Sequence, residues 1–176
     1  MDQRMEQPAV IKFASIWASI FILLLSSACS FRFNAYDIST ETKTFSIDQF
    51  RTSAGNAPPT LGQLFSEQLK QRVLNDTRLQ YRNENGDLQF SGAITSYQIT
   101  PIAPQGNQTV ALQRLSIGME IQCVSSKQEI KNWNPFFSRF ADFSADVDLT
   151  SVEDQLAKEI YAQIIEDVFN KAFSNW

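Results

Sequence analysis

A chain of 176 residues, 43% of them hydrophobic, is long enough for one ordinary globular domain, and its composition excludes collagen, coiled coil and wholesale disorder. A formal net charge of -4 without a Lys/Arg block gives no support for nucleic-acid binding. The chain has no histidine, which removes Ser-His-Asp and Cys-His catalysis and every His-ligated metal site.

The N-terminus stands apart. Arg4 and Lys12 precede an uncharged run over residues 13–25, and Ser26, Ser27 and Ala28 lead directly to Cys29. A basic start, an apolar stretch and small residues at the cut are the parts of a secretory signal. The run is about thirteen residues, whereas a bilayer-spanning helix needs about 20. A cysteine in this position resembles the lipobox of bacterial lipoproteins, where the thiol is acylated and cleavage makes it residue one. Ser26 departs from the pattern, which has Leu three places before the cysteine; here Leu25 sits one step earlier. An ordinary signal peptide and an uncleaved anchor are the alternatives. The expected organisation is a signal peptide over residues 1–28, a lipidated tether over 29–41 and one α/β domain over 42–176. With Cys29 acylated, Cys123 is the only thiol left, so no intramolecular disulfide forms and the fold rests on its core. A mature domain of about 148 residues buries close to 70% of its unfolded surface, enough for that purpose.

Phe45 and Ile47 alternate with Ser46 and Asp48, predicting a strand over residues 43–50. Ser53, Gly55, Asn56, Pro58 and Pro59 make a loop. Thr60 and Gln63 form a T-x-x-Q capping box, and Leu61, Phe65, Leu69 and Val73 follow at intervals of four, predicting an amphipathic helix that Asn75 and Asp76 end. After a short extended piece at 79–81 and a turn at 83–87, residues 88–99 read as a strand whose phase slips toward Tyr97 and Ile99, the mark of a bulge or an edge. Residues 101–109 are a connection. Leu115, Ile117, Met119, Ile121 and Cys123 then alternate strictly with polar or small residues, the cleanest period-two signal in the chain. A turn at 125–129 leads to a strand over roughly 133–143, interrupted by Pro135. Thr150 and Glu153 form a second capping box before Val152, Leu156, Ile160, Ile164, Val168 and Ala172, a stripe widened by Tyr161, Ile165, Phe169 and Phe173. The order β-α-β-β-β-α predicts an α+β fold with two amphipathic helices on one face of a four-stranded, mostly antiparallel sheet.

No catalytic centre is visible. Cys123 is in phase with the apolar residues of its strand and reads as a small core side chain. Asp142, Asp146, Asp148, Glu153 and Asp154 fit no calcium loop, and the last two lie in a first helical turn, where the helix dipole favours negative charge. The scattered glycines form no phosphate-cradling loop. The chain is read as a non-enzyme without metal or cofactor. Phe136, Phe137, Phe140 and Phe143 crowd the last strand; Phe136 and Phe137 cannot share a face, so at least one ring turns away from the helices and is available to a partner. A core strand with one exposed ring is the plain alternative. Arg114, Lys127, Lys131 and Arg139 lie in or beside two strands joined by one turn, where some of them can converge on anionic headgroups or phosphates, the alternative being ordinary solvated surface.

Three stretches carry a resemblance: KTFSIDQF at 43–50, GDLQFSGAITSYQITPI at 86–102 with LQRLSI at 112–117, and SVEDQLAKEIYAQIIEDVFNKAFSNW at 151–176. With Cys29 they span almost all of the mature chain, and they resemble the LptE-type lipopolysaccharide-assembly lipoproteins in the version found in Bacteroidetes. The resemblance implies a palmitate-bearing lipoprotein on the periplasmic face of the outer membrane. Such proteins pair with LptD, a large β-barrel translocon, sit partly inside it as a plug and help deliver lipopolysaccharide to the cell surface. Family members elsewhere contact lipopolysaccharide through basic residues. No motif transfers those positions, so Arg114, Lys127, Lys131, Arg139 and Phe137 stand as candidate lipopolysaccharide or partner contacts. The rival is an envelope lipoprotein that activates a peptidoglycan-synthesising enzyme or scaffolds another periplasmic machine. It would need a long tether, whereas roughly eleven residues after Cys29 extend at most about 40 Å.

Overall fold

The computed structural model describes residues 41–103, 111–127 and 132–173. The expected signal peptide, Cys29, the expected tether up to residue 40, most of the 101–109 connection and Lys131 lie outside the described residues.

The first strand, β1 (Thr44–Ile47), is shorter than its alternating pattern suggests. Asp48 turns its N–H to the carbonyl of Phe90 (2.9 Å), the chain steps out, and pairing resumes in β2 (Arg51–Thr52). Helix α1 (Leu61–Asp76) carries the chain back to β3 (Gln80–Tyr81), and the long strands β4 (Leu88–Ile102) and β5 (Leu112–Ser125) follow, then β6 (Phe136–Ser144) and helix α2 (Leu149–Phe173).

The strands form one six-stranded sheet in the order β3-β1-β4-β5-β6, with β2 also on β4. β1 runs parallel to both β3 and β4, and β2 is parallel to β4, whereas β4–β5 and β5–β6 are antiparallel. The expectation of four mostly antiparallel strands is therefore corrected: the sheet is mixed and has six. α1 is the crossover that a parallel pair requires, returning the chain so that β3 lies beside β1. Side-chain alternation carries no information about strand direction, and two-residue strands are too short to show a period.

The apolar stripes are used as read. Leu61, Phe65, Leu69 and Val73 of α1 are buried, as are Leu156, Ile160, Tyr161, Ile164, Ile165, Val168, Phe169, Ala172 and Phe173 of α2. They join Phe45, Phe90, Ile94, Leu115, Ile117, Met119, Ile121 and Cys123 of the sheet in a single core. The two helices touch through Phe65 and Tyr161, whose rings meet edge-on at 5.2 Å, while Tyr161 donates to the carbonyl of Leu61 (3.2 Å). Each buried Phe or Leu contributes about 1.5–3 kcal/mol.

Along β4 the phase slip is a register shift between Ile94 and Ser96. One extra residue, Thr95, lets buried positions pass from Phe90 and Ile94 to Tyr97. Tyr97 then donates to the Glu153 carboxylate in the first turns of α2. Neither capping box forms. Thr60 has helical dihedrals and makes no side-chain cap bond; Thr52 Oγ1 accepts the Gly62 N–H instead (3.2 Å). At α2 the cap is Asp148, whose Oδ1 accepts from the Thr150 N–H (3.1 Å), and Glu153 is free to reach Tyr97 because Asp148 already serves the helix end.

The chain from β3 to β4 has to cross β1, and one short segment fastens the crossing. Asp87 Oδ2 accepts from the N–H groups of Lys43 (3.0 Å) and Thr44 (3.0 Å) and from Thr44 Oγ1 (2.8 Å), and the Asp87 N–H returns a bond to Thr44 Oγ1 (3.0 Å). Gly86 lies so close that a Cβ there would stand 2.4 Å from backbone atoms of Phe45 and Ser46. Gly86→Ala should cost about 1–3 kcal/mol by pushing the crossing off β1, read in a denaturant melt. The Lys43 N–H bond first, then Thr44 Oγ1, hold the Asp87 carboxyl below its ordinary 3.8. A depressed carboxylate contributes stability that is whole above the unfolded value and is lost as pH falls through the folded one. Asp87→Asn should therefore melt about 1 kcal/mol early at pH 7, with the gap to the wild type closing as the pH is taken below 3.8.

Candidate functional site

The helices cover one face of the sheet, and among the described residues no element covers the opposite face of β5 and β6. In the β5–β6 ladder Arg114 stands across from Asp142, Ser116 from Phe140, Gly118 from Ser138 and Glu120 from Phe136. These residues share the open face because the odd-numbered partners, Leu115, Ile117, Met119, Ala141 and Phe143, are buried. Phe136 is 56% exposed and Phe140 46%. Gly118 lets the Phe136 ring lie flat on the sheet: a Cβ there would meet the ring Cζ at 2.4 Å.

Arg114 is engaged within this face. Its Nε and Nη2 bond the two oxygens of Asp142 at 2.7 and 2.9 Å, and its guanidinium sits 3.5 Å from the Phe140 ring centre. The bond to Asp142 raises the Arg114 pKa, and the same bond lowers that of Asp142. At neutral pH the pair is ionised and its charges cancel.

The other candidates are dispersed. Arg139 lies on the helix side of β6, paired with Asp167 of α2 at 2.6 Å and bonded to the Ser138 carbonyl at 3.1 Å. Lys127 follows the far end of β5, where its N–H bonds Ser125 Oγ (3.2 Å); along the strand it is about 40 Å from Arg114. Phe137 faces the helix side and packs edge-on against Trp133 at 6.1 Å. Arg114, Lys127 and Arg139 thus do not converge. The rings that face outward are Phe136 and Phe140. Phasing β6 backward from Phe143 and Ala141, the residues that continue the apolar pattern, would have singled them out.

Beside these rings the face sinks into a polar trough of 490 Å³ lined by Asp48, Arg51, Ser91, Glu120, Gln122 and Asn134, among others. The step between β1 and β2 makes one wall and β5 the other. Among the described residues no three potential metal ligands gather, and no helix is long and apolar enough to cross a membrane. Cys123 is fully buried, and desolvation pushes its thiol up to about 12. A Cys29→Ala variant should accordingly show no reaction with a thiol reagent at pH 8 while folded and one reactive thiol once denatured, a difference that a colorimetric titration reads directly.

A family model described as LptE, lipopolysaccharide-assembly, matches residues 42–172. No curated protein matches the chain. Among solved structures, a hypothetical protein from Chlamydia trachomatis is similar over 76% of this chain and 99% of its own, with 10% identity and a TM-score of 0.50. A putative neuraminyllactose-binding hemagglutinin homolog from Helicobacter pylori covers 80% and 88%, at 10% identity and a TM-score of 0.50. The rare lipoprotein B of Shewanella oneidensis covers 73% and 92%, at 15% identity and a TM-score of 0.43. At 10% identity the likeness to the first two is one of fold alone.

Proposed function

We propose, for a chain that belongs to the LptE family of lipopolysaccharide-assembly proteins, that it is anchored by acyl chains on Cys29 to the periplasmic face of the outer membrane. There it partners and plugs an LptD-type β-barrel and assists delivery of lipopolysaccharide to the cell surface. The observation that carries this reading is the family match, which runs from residue 42 to residue 172 and so takes in every strand described above, α1 and all but the last residue of α2. A signal-like segment ending at Cys29 precedes it. The fold suits binding better than chemistry: its conspicuous acidic groups serve structure, Asp148 as a helix cap, Glu153 as partner of Tyr97 and Asp142 as partner of Arg114. The family match and the short tether favour a partner in the same membrane over the rival peptidoglycan-synthesis role. Lipopolysaccharide itself would meet the open face, where Asp142 takes the Nε and one Nη2 donor of Arg114 and the end-on donors of the guanidinium remain for a phosphate.

Tagged protein extracted from outer membranes in detergent should bring down a large β-barrel in near-equal amount, identified by mass spectrometry. Cys29→Ala should move the protein to the soluble periplasmic fraction and lower barrel recovery. Recovery of a cell-wall synthase in place of a barrel would sink the reading.

A further inference from the structure

The two ends of the sheet are built differently. At one end β3 and β2 are two residues each, the brevity by which natural sheets blunt an edge. At the other, β6 is nine residues long, contains no proline and has no neighbour on its far side among the described residues. Its backbone orientation follows from the register. Cys123 and Trp133 exchange both backbone bonds (3.0 and 3.2 Å), and the Ala145 N–H bonds the Ala111 carbonyl (2.9 Å). Both pairs fall in the register that joins β5 to β6, and hydrogen-bonded pairs alternate along an antiparallel ladder. Phe137, Arg139, Ala141 and Phe143 therefore bond β5, while Phe136, Ser138, Phe140 and Asp142 turn their N–H and C=O groups outward. Among the described residues, only the Ser138 carbonyl of these groups is engaged, by Arg139 Nη1. All four residues are exposed, and the row they form is about 20 Å long.

The charges that commonly protect an edge are neutralised here. Arg139 is held by Asp167 at 2.6 Å and Asp142 by Arg114 at 2.7 Å. What remains is a row of alternating donors and acceptors beside two exposed phenyl rings. A row of that spacing is complementary to another polypeptide strand; acyl chains have no donors or acceptors to offer it.

We infer that β6 is a docking edge that takes an extended segment of the barrel partner as an added strand. The inference rests on the proposed function for the identity of the partner alone. A closed barrel wall has no unpaired edge to offer, so the segment comes from a loop or an appended domain of that partner. Residues of the segment opposite Phe136 and Phe140 lie on the open face and are apolar, β-branched or aromatic, because cross-strand neighbours with such side chains pack best against a ring.

The test is photocrosslinking in the intact envelope, with p-benzoylphenylalanine replacing Phe136 or Phe140 in the full-length protein and Gln163, exposed on α2, as the control site. Both edge positions should attach to the same segment of the barrel partner. The attachment point should move by about four residues along that segment when the probe moves from Phe136 to Phe140, the signature of a paired strand. Gln163 should give no such adduct. Ser138→Pro removes an outward N–H that β5 does not use, a place where an edge strand tolerates proline. It should leave the melting temperature within a few degrees while cutting barrel recovery at least tenfold; if it unfolds the protein, the crosslinks decide alone. Adducts with a second copy of this chain, adducts at neither edge position, or attachment points that do not move with the probe overturn the inference. Undiminished barrel recovery with a folded Ser138→Pro overturns it too, and leaves the proposed function standing. Absence of any barrel with the wild type removes the proposed function itself.

Discussion

The pairing of β4 with β5 holds together from Leu88 opposite Ser125 to Ile102 opposite Leu112, with a single shift at Thr95, and every other strand takes its position from it. β1 and β2 align on one side of β4, β6 on the free side of β5, and β3 is attached only through β1. Because side chains alternate strictly along a strand, this one register decides which residues face the helices and which face outward over most of the sheet. The bulge changes that decision once. Without Thr95 as an extra residue, Tyr97 would point to the open face, and the tie from its hydroxyl to Glu153 at the start of α2 would be lost.

The parallel half of the sheet is held by a different kind of contact. A six-residue link from β3 to β4 has to pass over β1, and little apolar area is available there to fix it. Polar bonds replace it: Asp87 gathers the amide groups of Lys43 and Thr44, and Ser46 Oγ, itself buried, takes the Gly86 N–H. An unpaired buried polar group costs about 1–3 kcal/mol, so the crossing is stable only as a complete set. This explains why Gly86 and Asp87 stand together where sequence reading sees only a turn.

Much of this was legible in the amino-acid sequence, and the boundary of legibility is physical. The four-residue spacing of Leu61, Phe65, Leu69 and Val73, the phase slip near Tyr97 and the strict alternation from Leu115 to Cys123 all report burial, and each was matched in the structure. Direction and neighbourhood are not written in burial. That β1 runs parallel to β4, and that Gln80 and Tyr81 pair at all, depend on where α1 returns the chain. The caps fail for a local reason: Asp148 caps α2 ahead of Thr150, and Thr60 holds helical dihedrals while Thr52 serves the Gly62 N–H. In the crowded aromatic run of β6 the phase is carried by Ala141 and Phe143, and it turns Phe136 and Phe140 outward and Phe137 toward Trp133.

The resulting molecule separates its two faces by chemistry. The helix side is closed by interlocking apolar side chains and sealed at the rim by pairs such as Arg139 with Asp167 and Arg72 with Glu166. On the open side Arg114 is both paired to Asp142 and stacked on Phe140. That pair adds little to attraction from afar, since its two charges cancel at distances beyond a Debye length. The open face offers contacts at close range: ring packing, the polar trough and the backbone of β6 that has no strand neighbour among the described residues. Such contacts fit the proposed function, in which a lipid anchor would confine the protein to its partner's membrane and so supply the encounter that long-range steering would otherwise provide.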